Sequence, residues 1–222
     1  MRQPLFLNRM SNNTPRMIAL LGAMRKQMNG AVADAMFYYG RKYGLNYGVS
    51  LPTIRSIASQ EGCDHDLAIY LFQQQVRELQ LAALHIADAQ AITAEQDTLW
   101  HDGMINSEIA EEMAFALLGG SPHLEDIFHK WIASENEYAV YAALMAAARS
   151  SLASKNEIVG PIANIVERFP ESRIIAQGAV ALLSAAYNHH AMRQCVQQII
   201  SSFPTTPAAT YIADEMGWRM EL

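Results

Sequence analysis

Ala139-Val140-Tyr141-Ala142-Ala143-Leu144-Met145-Ala146-Ala147-Ala148 is the stretch whose reading decides the fold. Alanine has the highest helix propensity, and small side chains on several faces let neighbouring helices approach from more than one direction. The run is far shorter than the roughly 20 apolar residues that cross a bilayer, and Arg149 ends it. It therefore predicts a helix packed inside stacked helical layers. The same signature extends outward from it. The chain carries 34 alanines, and apolar residues recur at three- and four-residue spacing almost throughout, with no sustained strand-like alternation.

Punctuation between these periodic segments is frequent. Ser50-Leu51-Pro52 places a capping hydroxyl just before a proline in a first helical turn. Thr93 to Gln96, Ser134 to Glu137 and Ser154 to Glu157 each fit a capping box. Gly44, Gly62, Gly119-Gly120, Phe169-Pro170 and Phe203-Pro204 read as stops. Helices are expected near 15–42 with a break at Gly30, and near 52–60, 65–88 as one helix or two, 93–102, 107–118, 122–133, 136–152, 156–168, 171–187, 190–201 and 207–218. So many short helices joined by short turns cannot share one centre. The expected fold is all-α, a curved α-α superhelix (solenoid) of helical repeats forming a single domain over 1–222.

Composition narrows the function classes. Of the 222 residues, 51% are hydrophobic and 17% charged, ample for a globular core. No transmembrane span or membrane partner is expected, and the first residues lack a secretory signal's apolar core, so the expected location is cytoplasmic. Cys63 and Cys195 stand far apart, which excludes a disulfide framework and a Cys-rich zinc site. The histidines show no helical zinc-ligand spacing, and Gly119-Gly120 lacks the lysine of a phosphate loop. No cofactor and no metal are therefore implied. The net charge of -6 hides an asymmetry: residues 1–62 hold eight basic side chains against two acidic, a surplus of six, so the other 160 residues carry -12. A polyanion would be drawn to the first quarter of the chain.

The run Tyr43-Gly44-Leu45-Asn46-Tyr47-Gly48-Val49-Ser50-Leu51-Pro52-Thr53-Ile54-Arg55 reads as an extended corner, anchored by Tyr47 and Val49, that feeds a helix bearing Arg55. Further on, Arg77-Glu78 puts a charge pair on an otherwise apolar helix, where a rim position is expected.

These residues carry a family resemblance. Gly48-Val49-x-x-Pro52-x-x-Arg55, then Leu71-Phe72 and Arg77-Glu78-x-Gln80-x-x-Ala83, resemble the bacterial DNA alkylation repair proteins, the AlkD-like DNA glycosylases built of HEAT-like repeats. Asn106-Ser107-Glu108-Ile109-Ala110-Glu111 stands where the family shows Asn-Trp-Asp/Glu-x-x-Asp. Trp131-Ile132-x-Ser134-x-x-x-Tyr138-x-x-Tyr141 stands where it tends to show Trp-x-x-Ser-x-x-x-Trp-x-x-Arg. The likeness spans about residues 40 to 150.

The resemblance implies a groove that grips duplex DNA and excises N3- or N7-alkylated purines. Cleaving the glycosidic bond develops oxocarbenium character, which a fixed carboxylate stabilises. The family's aspartate falls on Glu111, the implied catalytic residue, whose extra methylene moves the carboxylate by about an ångström. Ser107 replaces a tryptophan, and Tyr138 and Tyr141 replace a tryptophan and an arginine. Arg16, Arg41, Lys42, Arg55 and Arg77 are the candidate phosphate contacts, with Tyr138 and Tyr141 as further DNA-binding candidates. Glu108, Glu111 and Glu112 would equally serve the N-terminal dipole of a helix capped by Asn106. Two functions stay open: an alkylpurine DNA glycosylase, or a noncatalytic helical-repeat scaffold that binds a protein or nucleic-acid partner through its concave face.

Overall fold

The computed structural model describes residues 5–41 and 43–221, with side chains described over 13–41 and 43–220. Lys42 lies outside the described residues. Among the described residues the chain is helical throughout, and its nearest approach to a strand is an isolated parallel bridge between Leu45 and Val76. It divides into two units at Ala91 and Ile92.

The first unit holds α1 (Leu5–Arg25), α2 (Gly30–Tyr38), α3 (Leu51–Ala58), α4 (His65–Phe72) and α5 (Arg77–Ile86). Its core joins Leu20 and Met24 of α1 to Ile54, Leu67, Leu71, Leu79 and Leu84, all essentially inaccessible. The break expected at Gly30 is real: Asn29 caps α2 by accepting from the Val32 amide. Ser50 caps α3 as read, accepting from the Thr53 amide with Pro52 in the first turn.

The corner between α2 and α3 is held from beneath by the pair read as a rim feature. Arg77 and Glu78 are instead 1% and 0% exposed. The Arg77 guanidinium donates to the Val49 carbonyl (2.8 Å) and to Glu78 (3.0 Å). Glu78 in turn accepts from the amides of Tyr47 (3.2 Å) and Val49 (3.3 Å). An extended segment cannot satisfy its own amides, and a buried carboxylate supplies what a neighbouring strand would otherwise supply.

The second unit holds α6 (Thr98–Asp102), α7 (Ser107–Glu112), α8 (Leu124–Ile132), α9 (Glu137–Ala148), α10 (Asn156–Val159), α11 (Ile162–Arg168), α12 (Arg173–Tyr187), α13 (Arg193–Ser201) and α14 (Pro207–Glu221). The alanine-rich α9 is its centre, packed on α8 and α12, with α14 on the far side of α12. Buried residues cover nearly every face of α9. Gly178 of α12 sits so close that a Cβ there would lie 3.0 Å from the Tyr141 ring and 3.1 Å from Leu144. Small residues at this crossing are thus a steric requirement.

Three expected caps fall elsewhere. Ser134 Oγ accepts from the Asn136 amide and bonds His101, so Asn136 caps α9 instead. Ser154 ends a 3₁₀ turn, donating back to the Ser151 carbonyl. Residues 93–97 are not helical, because the buried Asp97 accepts from Lys130 and from the Trp131 indole while Lys130 also donates to the Ala94 carbonyl. The 65–88 segment, read as one helix or two, forms two that part between Phe72 and Arg77, and the expected helix over 156–168 is interrupted at Gly160-Pro161, where proline has no amide to donate.

Candidate nucleic-acid interface

Two caps position the acidic residue that the family resemblance singles out. Asn106 accepts from the Ile109 amide and starts α7. Asn136 starts α9 and donates to the carbonyls of His101 and Met104, tying that start to the turn before α7. Glu111 and Tyr141 are thereby brought face to face, with the phenol donating to Glu111 Oε1 at 3.0 Å. Of the three glutamates of α7, Glu108 and Glu112 are buried and Glu111 is half-exposed.

Tyr141 is 4% exposed. Burial, and then the adjacent Glu111 charge, push its pKa well above the ordinary tyrosine value. The phenol therefore stays a proton donor to the carboxylate throughout the physiological range. A stability consequence follows. Above the ordinary tyrosine value of 10.0 the unfolded chain loses a proton that the folded chain keeps, so stability falls as pH rises past that point. Tyr141→Phe is expected to flatten that alkaline decline while costing about 1 kcal/mol at neutral pH for the lost hydrogen bond. Urea titrations across this pH range check both.

Tyr138 is half-exposed and borders an open depression of about 610 Å³ shared with Ser107, Arg168, Phe169, Ser172 and Arg173. Where the family resemblance places an indole, Ser107 leaves open space. Arg168 is anchored on the Ile132 and Ser134 carbonyls. Arg173 is exposed and lies over the Tyr211 ring at 4.7 Å.

After Glu111 the helix widens into a π turn, Met113–Leu117, which carries the part-exposed Phe115. The Arg149 guanidinium lies 4.3 Å from the Phe115 centroid, a cation–π pair that holds the charge at the surface. Arg149 and Arg173 were not among the cations singled out from sequence. Arg149 lies eleven residues, about three helical turns, beyond Tyr138 and so shares its face of α9; that spacing is the signal that could have found it.

The cations singled out in the first unit have different fates. Arg16 does not present a free guanidinium, because it is neutralised by Glu61 (2.8 Å) and Asp64 (2.6 Å), and Asp64 also caps α4. Arg77 is withdrawn from solvent altogether, as described above. Arg41 and Arg55 are exposed, at the end of α2 and on α3. The implied cationic set therefore shrinks because two of its members serve the fold. Among the described residues, no group of three His, Cys, Asp or Glu side chains could hold a metal ion, and no helix is long and apolar enough to cross a membrane.

Comparison with known proteins fits this geometry. No curated protein sequence matches the chain. A solved structure described as a new family of proteins related to the HEAT-like repeat DNA glycosylases, with affinity for branched DNA structures, superposes with a TM-score of 0.70. That match covers 91% of this chain and 94% of the other at 16% identity, and so establishes the fold: all-α HEAT-like helical repeats. The family model described as DNA alkylation repair enzyme matches residues 20–173, well over half the chain. On that match, the protein belongs to the DNA alkylation repair enzyme family.

Proposed function

We propose that this protein binds DNA through the surface around Glu111, Tyr138 and Tyr141, recognising DNA structure instead of excising an alkylated base. The observation that carries this reading is the Tyr141–Glu111 hydrogen bond. Where the family resemblance places an arginine, a buried neutral phenol occupies one oxygen of the carboxylate that would stabilise the oxocarbenium ion. Ser107 stands where the resemblance places an indole, while Arg173 beside Tyr138 and Arg149 further along are aromatic-supported cations suited to backbone phosphates. The branched-DNA affinity of the structurally similar protein supports the same reading.

A second reading keeps catalysis. Glu111 remains half-exposed, and the Tyr141 hydroxyl could orient its carboxylate beside a deoxyribose, giving a glycosylase for N3- or N7-alkylated purines in duplex DNA. The two separate cleanly at the bench. Wild type incubated with methylated duplex DNA is expected to release no 7-methylguanine, while mobility shifts show it bound to branched DNA. Arg149→Ala and Arg173→Ala are each expected to weaken that binding and to lessen its salt dependence. Release of 7-methylguanine by wild type, lost in Glu111→Gln, would establish the glycosylase reading and overturn the first. Absence of any DNA binding by the folded protein would remove both and leave a protein-binding scaffold.

A further inference from the structure

The end of α2 presents a cluster that the Glu111 surface does not use. None of the residues of α2 is buried, although the helix is largely apolar. Phe37, Tyr38 and Tyr39 are 68%, 83% and 80% exposed. Three consecutive exposed aromatic rings, two of them in contact, are apolar surface of the kind that soluble proteins keep for a partner.

The patch is built to hold its shape. Gly40 adopts the left-handed conformation (φ 84°), its amide bonds the Phe37 carbonyl at 3.0 Å, and the Arg41 amide bonds the Met36 carbonyl at 2.9 Å. These two bonds close the helix in a Schellman turn, so the aromatic end is a defined tip. Tyr38 and Tyr39 meet edge to face at 5.3 Å, which leaves ring faces open to stacking. The other end of the helix is pinned to the corner by the Asn29 amide, which donates to the Tyr47 carbonyl at 2.8 Å.

Charge selects the partner. Arg41, exposed, follows the rings directly, in the quarter of the chain that carries a surplus of six positive charges. Asp34 is the acid of α2, about one turn back from the rings. Flat ring faces beside a cation suit a nucleobase whose face is open and whose phosphate is near. An intact duplex hides its base faces in the stack, whereas a branch point or a single-stranded gap exposes them.

We propose that the Phe37-Tyr38-Tyr39-Gly40-Arg41 tip stacks on unpaired or unstacked bases, and so supplies the preference for branched over linear DNA. This rests on the DNA-binding function proposed above. The test is fluorescence anisotropy with a labelled three-way junction and a blunt duplex of the same composition. The triple variant Phe37→Ala, Tyr38→Ala, Tyr39→Ala is expected to lose about tenfold or more in junction affinity, with duplex affinity unchanged. Because all three rings are largely exposed, its circular dichroism and melting should match wild type. Tyr38→Trp, which keeps a stacking face, should retain junction affinity.

If wild type binds neither DNA, the underlying function fails. If wild type binds the junction and the triple variant binds it equally well, only the tip assignment is overturned. An equal loss on junction and duplex would make the tip a general DNA contact, which overturns the selectivity. Self-association of wild type that the triple variant abolishes, with junction binding intact, would make the patch an interface between copies and overturn it as well.

Discussion

Gly48→Ala is expected to lower the free energy of unfolding by about 3 kcal/mol or more, enough to unfold much of the protein near body temperature. Gly48 lies in the corner before α3 with φ 70°, a conformation that by itself costs a side-chain-bearing residue about 1 kcal/mol. The larger cost is steric. A Cβ at this position would lie 2.0 Å from the Asn29 carbonyl oxygen and 2.8 Å from the Ala33 amide nitrogen. Both are backbone atoms, and they bond each other at 3.1 Å as the first turn of α2. Neither can move without opening that turn or breaking the bond from Asn29 to Tyr47. Gly62 provides the control. It has nearly the same φ, 71°, but nothing lies within 4 Å of its virtual Cβ. Gly62→Ala should therefore cost only about 1 kcal/mol. Urea unfolding followed by circular dichroism compares the two, and equal losses would contradict the steric argument.

That corner also shows what the sequence could and could not reveal. Its glycines, its proline-started helix and its cap at Ser50 are local signals, written within a few residues of where they act, and the structure follows them. Helix periodicity was legible for the same reason, since an apolar stripe depends on neighbours three and four positions away. The burial of Arg77 and Glu78 was not. A charge pair on an apolar helix reads as a rim feature unless it is known that an extended segment, some thirty residues earlier, crosses that helix with its amides unpaired. The ion pairing of Arg16 was hidden for a related reason. Its partners Glu61 and Asp64 are distant in sequence, so a positive charge that looked available is already neutralised. Ser134 and Ser154 had acceptable capping patterns, yet nearby groups took their hydroxyls, although the helices still start at Glu137 and Asn156, within a residue of where they were expected. At the Glu111 surface, sequence order supplied the acid and both tyrosines, while the hydrogen bond joining Tyr141 to Glu111 needed the packing of α7 on α9. The aromatic tip of α2 is apolar by composition and would pass for core. Its exposure, 68–83% at the three rings, is visible only in three dimensions.

Glu78→Ala should be at least as damaging as Gly48→Ala, with an expected loss of about 3–5 kcal/mol. Deleting the carboxylate removes the countercharge that Glu78 gives Arg77 in a site that is 1% exposed, and leaves the Tyr47 and Val49 amides without this acceptor. Most of that penalty is the cost of keeping a cation buried without the Glu78 charge beside it, so removing the cation as well should recover part of it. The double variant Arg77→Met, Glu78→Leu keeps the side-chain volume and carries no buried charge. It is expected to be more stable than Glu78→Ala by about 1 kcal/mol or more, although the corner amides remain unsatisfied. A double-mutant cycle in urea measures the coupling, and a double variant less stable than Glu78→Ala would show that the pair contributes more than mutual neutralisation. The effect should also reach the tip of α2. The Tyr47 amide that Glu78 holds belongs to the residue whose carbonyl anchors the start of α2 through Asn29. A double variant that folds but lets this anchor shift should lose junction affinity with duplex affinity retained, reproducing the aromatic triple variant without touching a ring.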